Sequence, residues 1–415
     1  MNSPVLKNID VLIIGGGPAG LAAAVRLYEK GIRDILILER EKQAGGILRQ
    51  CIHDGFGLTR FGMSMSGPEY ADRFLQKVKE YRIPMLLNTS VIRITPDRVV
   101  TAASPAGLLK YQAGAVILAM GCREKTRGAL AIPGERPAGV FTAGVAQAYM
   151  NLYNRMPAKE AVILGSGDIG MIMARRLTLE GAHVRGVYEL MPYAAGLPRN
   201  VQQCLKDYNI PLYLNTTVTK IHGDRRLEAV TVSEVDAGRR PVPGTERRIE
   251  CDTLILSVGL IPENELSLDA GVLLDPGTRG ASVDENYQTN IPGIYAAGNV
   301  LHVHDLVDFV SLEAEQLAEA VAARLRNQES PECPIRIRHD RNIGHTVPDR
   351  VSGTRKFRLS LRVNHPMENV RITVLQGENE IASRRMKKAV PAEMIQLEIG
   401  GDKLVGSTDV EVKIL

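Results

Sequence analysis

Residues 11–40 read VLIIGGGPAGLAAAVRLYEKGIRDILILER, with a short apolar run at each end and helical spacing of apolar residues between them. The pattern predicts a strand, a turn, a helix and a second strand. Gly15, Gly17 and Gly20 form Gly-x-Gly-x-x-Gly at the turn. The first glycine permits a tight turn, the second lets a pyrophosphate approach the backbone, and the third lets the helix pack on the strand. Glu39 ends the second strand, where a carboxylate can accept hydrogen bonds from a ribose diol.

The same unit recurs in residues 161–191, AVILGSGDIGMIMARRLTLEGAHVRGVYELM. Gly165, Gly167 and Gly170 match the three glycines, and Glu189 follows at the spacing that Glu39 has in the first copy. Each helix N-terminus carries unpaired N–H groups and a partial positive charge, which suit a diphosphate. Two dinucleotide sites are therefore expected.

Glu189 also bears on which nucleotide enters the second site. A carboxylate there repels a 2′-phosphate, and no Arg or Lys follows it in ELMPYAAG, residues 189–196. The sequence predicts NADH rather than NADPH.

Composition limits the other function classes. A chain of 415 residues with 44% apolar content suffices for two or three domains, and a net charge of +4 without long runs of like charge gives no support for nucleic-acid binding. The N-terminal apolar stretch 11–25 is broken by glycines and too short to span a bilayer, and MNSPVLKNID lacks the features of a signal peptide. A cytoplasmic protein without a membrane span is expected. The five cysteines are scattered, with no Cys-x-x-Cys pair, which argues against a disulfide framework and a cysteine-built zinc site.

Three further segments extend the pattern: AVILAMGCRE (115–124), LILSVGLIPENEL (254–266) and TNIPGIYAAGNV (289–300). With the two glycine turns, they resemble the flavoproteins with two dinucleotide-binding domains, the pyridine nucleotide-disulfide oxidoreductases and their relatives, over roughly residues 8–328. The resemblance implies an α/β fold with two Rossmann-like domains, the second inserted in the first. The FAD-binding domain would cover 1–123 and 255–328, and the NAD(H)-binding domain 124–254.

The resemblance also implies which residues contact each cofactor. The FAD contacts would be Gly15, Gly17, Pro18, Ala19, Gly20, Glu39, Arg40, Gly46, Ile47, Val91, Ala119, Gly121, Gly298, Asn299, Leu306 and Val307. The NAD(H) contacts would be Gly165, Gly167, Asp168, Ile169, Gly170, Glu189 and Gly259.

One departure from the family pattern lies at 298–299. The family ends this motif with Gly-Asp, whereas here Gly298 precedes Asn299, whose amide can still bond a ribityl hydroxyl without the negative charge. An amphipathic helix follows from about Asp308 to Leu325. In the family its N-terminus faces the pyrimidine edge of the flavin, where a positive helix end stabilises the reduced ring.

Cys51 and His53, in GGILRQCIHDGFG (45–57), are the candidate catalytic residues. Family members that reduce disulfides carry Gly-Gly-x-Cys-x-x-x-x-Cys here or Cys-x-x-Cys in the NAD domain, and this chain has neither. No redox disulfide is expected, because exchange needs a resolving cysteine. Cys51 is expected to line the flavin pocket, with cycling to a sulfenic acid or a charge-transfer contact as alternatives. His53 either relays a proton during flavin reoxidation or bonds a carbonyl.

His302, His304 and Asp305 raise the question of a metal, because His-x-His places two imidazoles on one side of an extended segment. With no third and fourth ligand nearby in the sequence, we expect these histidines to line the flavin approach or to bond loop carbonyls. No metal site is predicted.

The composition of the chain changes after the amphipathic helix that ends at about Leu325. Residues 329–350 are rich in Pro, Gly and charge and are expected to form a connector. Apolar residues then alternate in FRLSLRV (357–363), VRITVL (370–375), IQLEI (395–399) and VEVKI (410–414). The period of two predicts a small C-terminal all-β domain, 351–415, that packs on the flavoprotein body or a partner.

The segments around residues 45, 165 and 298 most closely resemble a subgroup of bacterial flavoproteins. Members of this subgroup accompany glycerol-3-phosphate dehydrogenase-type flavoproteins, often together with a small cysteine-containing protein. Related chains are subunits of amine, opine or hydroxyproline dehydrogenases. This resemblance implies an FAD-dependent NAD(P)H oxidoreductase passing electrons between NADH and a partner flavoprotein or small acceptor. Homo-oligomerisation stays open. The alternatives are a stand-alone NADH oxidase or peroxidase, the flavin subunit of an amine- or hydroxyproline-type dehydrogenase, and a scaffold whose nucleotides are structural.

Overall fold

The computed structural model describes residues 5–328 and 331–415, and the chain divides into two compact units. Unit 1 comprises Met1–Cys122 and Pro262–Leu415, and unit 2 comprises Arg123–Ile261. The chain leaves unit 1 through the strand Cys122–Glu124 and returns through Leu260–Pro262. This return lies later than the expected start of the second FAD segment at 255, because Thr253–Leu256 is an interior strand of the unit 2 sheet. Residues 1–4 of the expected first domain lie outside the described residues.

A mainly parallel sheet forms the centre of unit 1. Six of its seven strands have the spatial order Met85–Leu86, Ile35–Leu38, Leu6–Ile14, Gly107–Leu118, Val99–Ser104 and Ser90–Ile94. The seventh, Ile294–Ala296, pairs with Gly107–Leu118. Its helices are Pro18–Glu29, Gly67–Glu80, Glu265–Asp269 and Val307–Leu325, with 3-10 turns at Gly46–Gln50, Gly298–Val300 and Gly401–Lys403.

The apolar sequences of two central strands explain why this sheet is mainly parallel and buried on both faces. The residues of VLII (11–14) and ILIL (35–38) are buried, as expected for parallel strands covered on both faces. Three consecutive alanines, 22–24, lie fully buried in the first helix, which packs against the helix Val307–Leu325, called the long helix below. The carboxyl ends of the central strands meet at one sheet edge, where the first glycine turn lies.

Unit 2 repeats the arrangement on a smaller scale. A five-stranded parallel sheet has the order Leu212–Tyr213, His183–Tyr188, Glu160–Leu164, Thr253–Leu256 and Val140–Thr142. A three-stranded antiparallel sheet consists of Thr216–His222, Ala229–Glu234 and Arg247–Glu250. The helices are Arg127–Leu130, Ala143–Asn151, Asp168–Leu179 and Pro198–Asn200, the last continued by a π turn, Val201–Leu205, and a 3-10 turn, Lys206–Tyr208.

The C-terminal part of unit 1 is all-β, with its own apolar core. One sheet has the order Arg350–Val351, Ile335–His339, Val410–Ile414, Met367–Gln376 and Asn379–Ala389. The other has the order Ile343–Val347, Phe357–Val363 and Ile395–Ile399.

Most of the expected connector, 329–350, belongs to this β structure. Ile335 and Ile337 alternate with arginines and are buried, and the strand that holds them pairs with Val410–Ile414. The flanking prolines and charges conceal this short period-two pattern, so the expectation of a connector is wrong from residue 335 onward. Residues 329 and 330 lie outside the described residues. Among residues 5–328 and 331–415, no helix has the length and apolar character needed to cross a membrane.

Candidate functional site

The glycines of the first turn, residues 15–20, have two different roles. Two of them leave no room for a side chain, and one leaves open space beside the backbone. Gly15 has φ 108°, and a Cβ there would lie 2.4 Å from the Ala119 carbonyl oxygen. A Cβ on Gly20 would lie 1.9 Å from the Gly15 carbonyl oxygen. At Gly17 the nearest heavy atom to an added Cβ is the Gly46 Cα, 3.8 Å away. The turn therefore keeps open space at the position where a pyrophosphate approaches the backbone.

The helix that starts at this turn presents its N-terminus to that space. Gly17 is its N-cap, and Pro18 occupies the first turn, where its missing N–H costs nothing. Since Gly17 has no side chain with which to cap the helix, the first N–H groups remain available to an anion. Ala19 lies in the same turn, and its small side chain admits Gly298, whose added Cβ would lie 3.0 Å from the Ala19 Cβ. These groups fit a dinucleotide phosphate.

Glu39 is tied to this turn. Its Oε2 accepts a hydrogen bond from the Gly16 N–H at 2.6 Å, and its Oε1 accepts one from the Glu41 N–H at 2.8 Å. The carboxylate is buried, with 6% of the residue exposed. Two carboxylate oxygens offer about four acceptor positions, so a ribose hydroxyl can still share them.

The segment 298–307 joins the same edge. Gly298 has φ 75° and donates its N–H to Glu313 Oε1 at 2.7 Å. Asn299 accepts the His304 N–H at 3.0 Å through Oδ1, and its Nδ2 lies 3.6 Å from Cys122 Sγ. The Asn299 amide therefore already shapes its own loop, a task that requires the carbonyl oxygen and no charge.

The long helix begins at Val307, with Leu306 as its N-cap. Asp308, in the first turn and 3% exposed, accepts the Gly57 N–H at 2.9 Å and the Thr59 N–H at 2.7 Å. A carboxylate at a helix N-terminus is favourable, and here it also fixes the glycine-rich segment that follows Cys51. This second function of Asp308 has no signal in local spacing.

The remaining predicted FAD contacts lie in different surroundings. Gly46 has φ 58° and approaches the first turn, since its added Cβ would lie 3.0 Å from the Gly17 Cα. Ile47 is 58% exposed. Arg40 lies 3.8 Å from the Glu263 carboxylate, and Gly121, at φ 73°, has open space around an added Cβ.

Val91 differs from these positions. It lies in the strand Ser90–Ile94, pairs with Ala102 of the neighbouring strand Val99–Ser104, and packs against the apolar core of unit 1. Thr89 is the residue of this segment that reaches the acidic strand end, through a 2.8 Å hydrogen bond from its N–H to the Glu39 carbonyl. Thr89 was not among the predicted contacts, because only the strand pairing reveals its proximity.

Cys51 is a buried thiol. Its Sγ lies 3.4 Å from the Ile47 carbonyl oxygen, and burial raises its pKa to about 12. A thiol with this pKa stays protonated near neutral pH and is a poor nucleophile. His53 packs its ring against Phe56, with 5.0 Å between the ring centroids.

The second glycine turn, residues 165–170, packs against Ser257. A Cβ on Gly165, which has φ 95°, would lie 2.2 Å from the Ser257 carbonyl oxygen, and one on Gly170 would lie 2.6 Å from the Ser257 Cβ. At Gly167 the nearest atom to an added Cβ is Ser257 Oγ, 3.2 Å away. Within the described chain this hydroxyl is buried without a hydrogen-bond partner. Ser257 is thus an additional candidate for the nucleotide site, placed there because its strand ends opposite the turn.

Acidic side chains organise the rest of this turn. Glu189 Oε2 accepts both the Ser166 N–H, at 2.8 Å, and the Ser166 hydroxyl, at 2.6 Å. Asp168, in the first turn of its helix, accepts the Leu197 N–H at 2.8 Å and the Asn200 Nδ2 at 2.6 Å.

Two predicted NAD(H) contacts lie outside these hydrogen bonds. Ile169 is half-buried beside Asp168 and packs on the unit 2 core. Gly259 has φ 104° and accepts the Lys125 N–H at 3.1 Å.

A buried cluster of His302, His304 and Glu313 lies behind the Gly298 turn. His302 Nε2 is 2.6 Å and His304 Nε2 is 3.4 Å from Glu313 Oε2. Burial raises the pKa of Glu313, but the two histidines outweigh it and hold that pKa well below its usual range. The sequence shows no third ligand close to the histidines along the chain, but the long helix brings Glu313 to them in space. Asp305 instead pairs with Arg362 at 3.1 Å.

Comparison with known proteins identifies the class. Residues 9–324 match the pyridine nucleotide-disulphide oxidoreductase family, and the chain belongs to that family. It is an FAD-dependent oxidoreductase that binds FAD and a pyridine nucleotide, in agreement with the two dinucleotide sites that the glycine turns predict.

Individual relatives are more varied. The chain is 29% identical to hydrogen cyanide synthase subunit HcnB of Pseudomonas protegens over 71% of this chain and 66% of that protein. It is 27% identical to one of the subunits of opine oxidase from Agrobacterium tumefaciens, over 70% and 61%, and 25% identical to ferredoxin--NADP reductase of Picrophilus torridus, over 72% and 87%. The matches thus span just under two thirds of the synthase and oxidase relatives.

Among solved structures, thioredoxin reductase of T. acidophilum superposes with a TM-score of 0.64 at 27% identity, over 77% of this chain and 99% of that one. L-proline dehydrogenase from P. horikoshii superposes with a TM-score of 0.54 at 20% identity, over 80% and 58%, and is similar in fold. These neighbours have the fold of two Rossmann-like domains that the sequence predicts.

Proposed function

We propose that the protein passes electrons between NADH and a partner flavoprotein or small acceptor through FAD, without a redox disulfide. The observation that carries this proposal is the state of Cys51. It is the cysteine that follows the first acidic strand end, and burial raises its pKa to about 12. Thiol–disulfide exchange starts from an exposed thiolate, which this position does not supply.

The cysteines of unit 2 give the disulfide route no support either. Cys204 lies in the π turn 201–205 and Cys251 just before the strand Thr253–Leu256, and both are buried. Burial raises the pKa of both thiols, that of Cys251 to about 12. A reductase for disulfides would need two neighbouring cysteines, one of them reactive.

When bound, the flavin and the nicotinamide supply the hydride chemistry. The chain's residues would hold and orient them: the helix N-termini at Gly17 and Gly167 would bind the phosphates, and Asp308 fixes the segment beside Cys51. Glu189 favours NADH by repelling a 2′-phosphate. No side-chain acid or base is required for the transfer itself.

The partner is inferred from the relatives. Two of them are named as subunits, and one as a ferredoxin--NADP reductase. The β structure of residues 335–414 lies beyond the family match, which ends at 324, and is the proposed docking element.

Anaerobic stopped-flow measurements on the full-length protein test the proposal. NADH should bleach the flavin absorbance within the enzyme's turnover time, and the reduced protein should reoxidise faster with a co-purified partner or ferredoxin than with a disulfide substrate. If NADH did not bleach the flavin, the remaining hypothesis would be a scaffold whose nucleotides are structural. Fast NADH consumption in air without a partner would favour the oxidase alternative.

A further inference from the structure

We propose that His302, His304 and Glu313 bind one divalent first-row transition-metal ion, with Zn²⁺ as the probe. Each residue offers one ligand atom, and these atoms lie within 4.8 Å of one another. The three residues are called the Glu313 cluster below. The proposal concerns a site separate from the two glycine turns and does not depend on the identity of the electron acceptor.

An unsatisfied polar atom points to a ligand at this cluster. Within the described chain, His304 Nε2, the ring nitrogen nearest the Glu313 carboxylate, is buried without a hydrogen-bond partner. The His304 side chain is 1% exposed, so water does not solvate it. Burying an imidazole without partners is costly, and polar groups in native interiors are almost always paired. A cation between His304 Nε2 and Glu313 would supply the missing interaction.

The spacing of the atoms suits such an ion. With metal–ligand bonds of 2.0–2.2 Å, two ligands of one tetrahedral ion lie about 3.4 Å apart. His304 Nε2 and Glu313 Oε2 are 3.4 Å apart, close to this separation. The 2.6 Å hydrogen bond between His302 Nε2 and Glu313 Oε2 would have to open by less than 1 Å.

The donor set selects the class of ion. Two imidazoles and one carboxylate suit zinc and iron, whereas calcium and magnesium prefer oxygen ligands. Glu313 is also oriented from its other side, because Oε1 accepts the Gly298 N–H at 2.7 Å. Such outer hydrogen bonds position metal ligands. The nearby cation Arg362 is bonded to Asp305 and to the Val303 carbonyl.

The placement gives the ion a structural task. His302 and His304 follow the Gly298-Asn299 turn, and Glu313 lies on the long helix. A bound ion would therefore join the turn that approaches the first glycine turn to the helix whose N-terminus begins at Val307. Metal and FAD binding are then expected to stabilise the same segment.

Metal analysis of the full-length protein, purified without a histidine tag, tests the proposal. Mass spectrometry of the metal content should find about one zinc or other first-row ion per chain, and calorimetric titration of the chelator-treated protein with Zn²⁺ should give one site. H304Q should weaken Zn²⁺ binding at least about tenfold. The matched control is H183Q, because His183 also lies 2.8 Å from a carboxylate, that of Glu160, but on the surface.

Two results would overturn the proposal. One is a wild-type protein that retains no zinc, iron, manganese, cobalt or nickel and takes up none of them; the cluster would then be a hydrogen-bonded network. The other is an equal loss of Zn²⁺ affinity in H183Q and H304Q, which would show that Zn²⁺ does not bind specifically at the Glu313 cluster. Zinc-edge X-ray absorption of the wild type serves where H304Q fails to fold, and a spectrum without imidazole scattering would count equally against the site.

Discussion

Glu189 accepts two hydrogen bonds from Ser166, one from the backbone N–H at 2.8 Å and one from the hydroxyl at 2.6 Å. In the first glycine turn Glu39 accepts the Gly16 N–H at 2.6 Å. Each acidic strand end therefore holds the middle of its own glycine turn. An alanine at either position would disturb the turn as well as any contact with ribose, so a test of nucleotide choice needs a gentler substitution.

E189Q provides that test. Glutamine keeps an acceptor for Ser166 but removes the negative charge that repels a 2′-phosphate. The ratio of kcat/KM for NADPH to that for NADH should rise about tenfold, which corresponds to ~1.4 kcal/mol. Steady-state kinetics with both nucleotides measure it. E160Q, a surface change in the same unit, should leave the ratio unchanged. An unaltered ratio in E189Q would mean that Glu189 acts on the turn alone.

Glycine substitutions in the first turn separate folding from binding. G20A places a Cβ 1.9 Å from the Gly15 carbonyl oxygen and should prevent the turn from forming. G17A meets no atom closer than 3.8 Å and has an ordinary φ of −83°, so it should fold yet obstruct the pyrophosphate. We expect G17A to retain the wild-type circular dichroism and to bind FAD at least about tenfold more weakly. Tight FAD binding by G17A would contradict the placement of the phosphate.

Sequence reasoning located the two turns because glycine spacing is local and each glycine has its own steric cause. It did not locate contacts made by residues distant in sequence. Ser257 reaches the second turn from a strand that ends about ninety residues later along the chain, and Thr89 reaches Glu39 only through strand pairing. Such proximity depends on strand order, which spacing does not encode.

Two errors have the same physical origin. Glu313 was missed as a neighbour of His302 because the contact requires the chain to turn back into the long helix. The strand Ile335–His339 was missed because its partner, Val410–Ile414, lies at the other end of the β structure. The contact between His302 and Glu313 did have a usable signal in the sequence, namely a His-x-His followed by a helix with a glutamate on its buried face.

Asp308 supplies a prediction about stability. Its carboxylate accepts backbone N–H groups of Gly57, Thr59 and Arg60 and lies in the first turn of the long helix. D308N should lower the free energy of unfolding by about 1.5–3 kcal/mol, because charge-assisted hydrogen bonds are lost in a buried place. Denaturant titration measures this, and hydrogen exchange should show faster exchange at residues 57–60. D72N, at an exposed carboxylate bonded to Gln76, is the matched control and should change the free energy by less than about 0.5 kcal/mol. Equal losses in both variants would refute the proposed role of Asp308 in fixing residues 57–60.

Cys51 supplies a prediction about reactivity and pH. Since burial raises its pKa to about 12, the thiol stays protonated from pH 6 to 9. C51S should keep FAD, and its rate of flavin reduction by NADH should lie within about twofold of wild type, because a protonated thiol contributes no nucleophile. Anaerobic stopped-flow traces of both proteins test this. Loss of NADH-driven reduction in C51S, with FAD still bound, would make the thiol a working redox group.

The same thiol predicts a difference in stability at alkaline pH. Below about pH 9 the thiol is protonated in both the folded and the unfolded chain, so it adds no pH dependence. Above that pH the unfolded chain loses the proton first, and the free energy of unfolding falls by at most about 1.4 kcal/mol per pH unit up to about pH 12. Serine does not titrate there. Subtracting the C51S curve from the wild-type curve in denaturant titrations should therefore give a line that is flat to pH 8 and declines above pH 9. If this difference in the free energy of unfolding did not change with pH, Cys51 would be exposed to solvent. The argument against a reactive thiol would then be wrong.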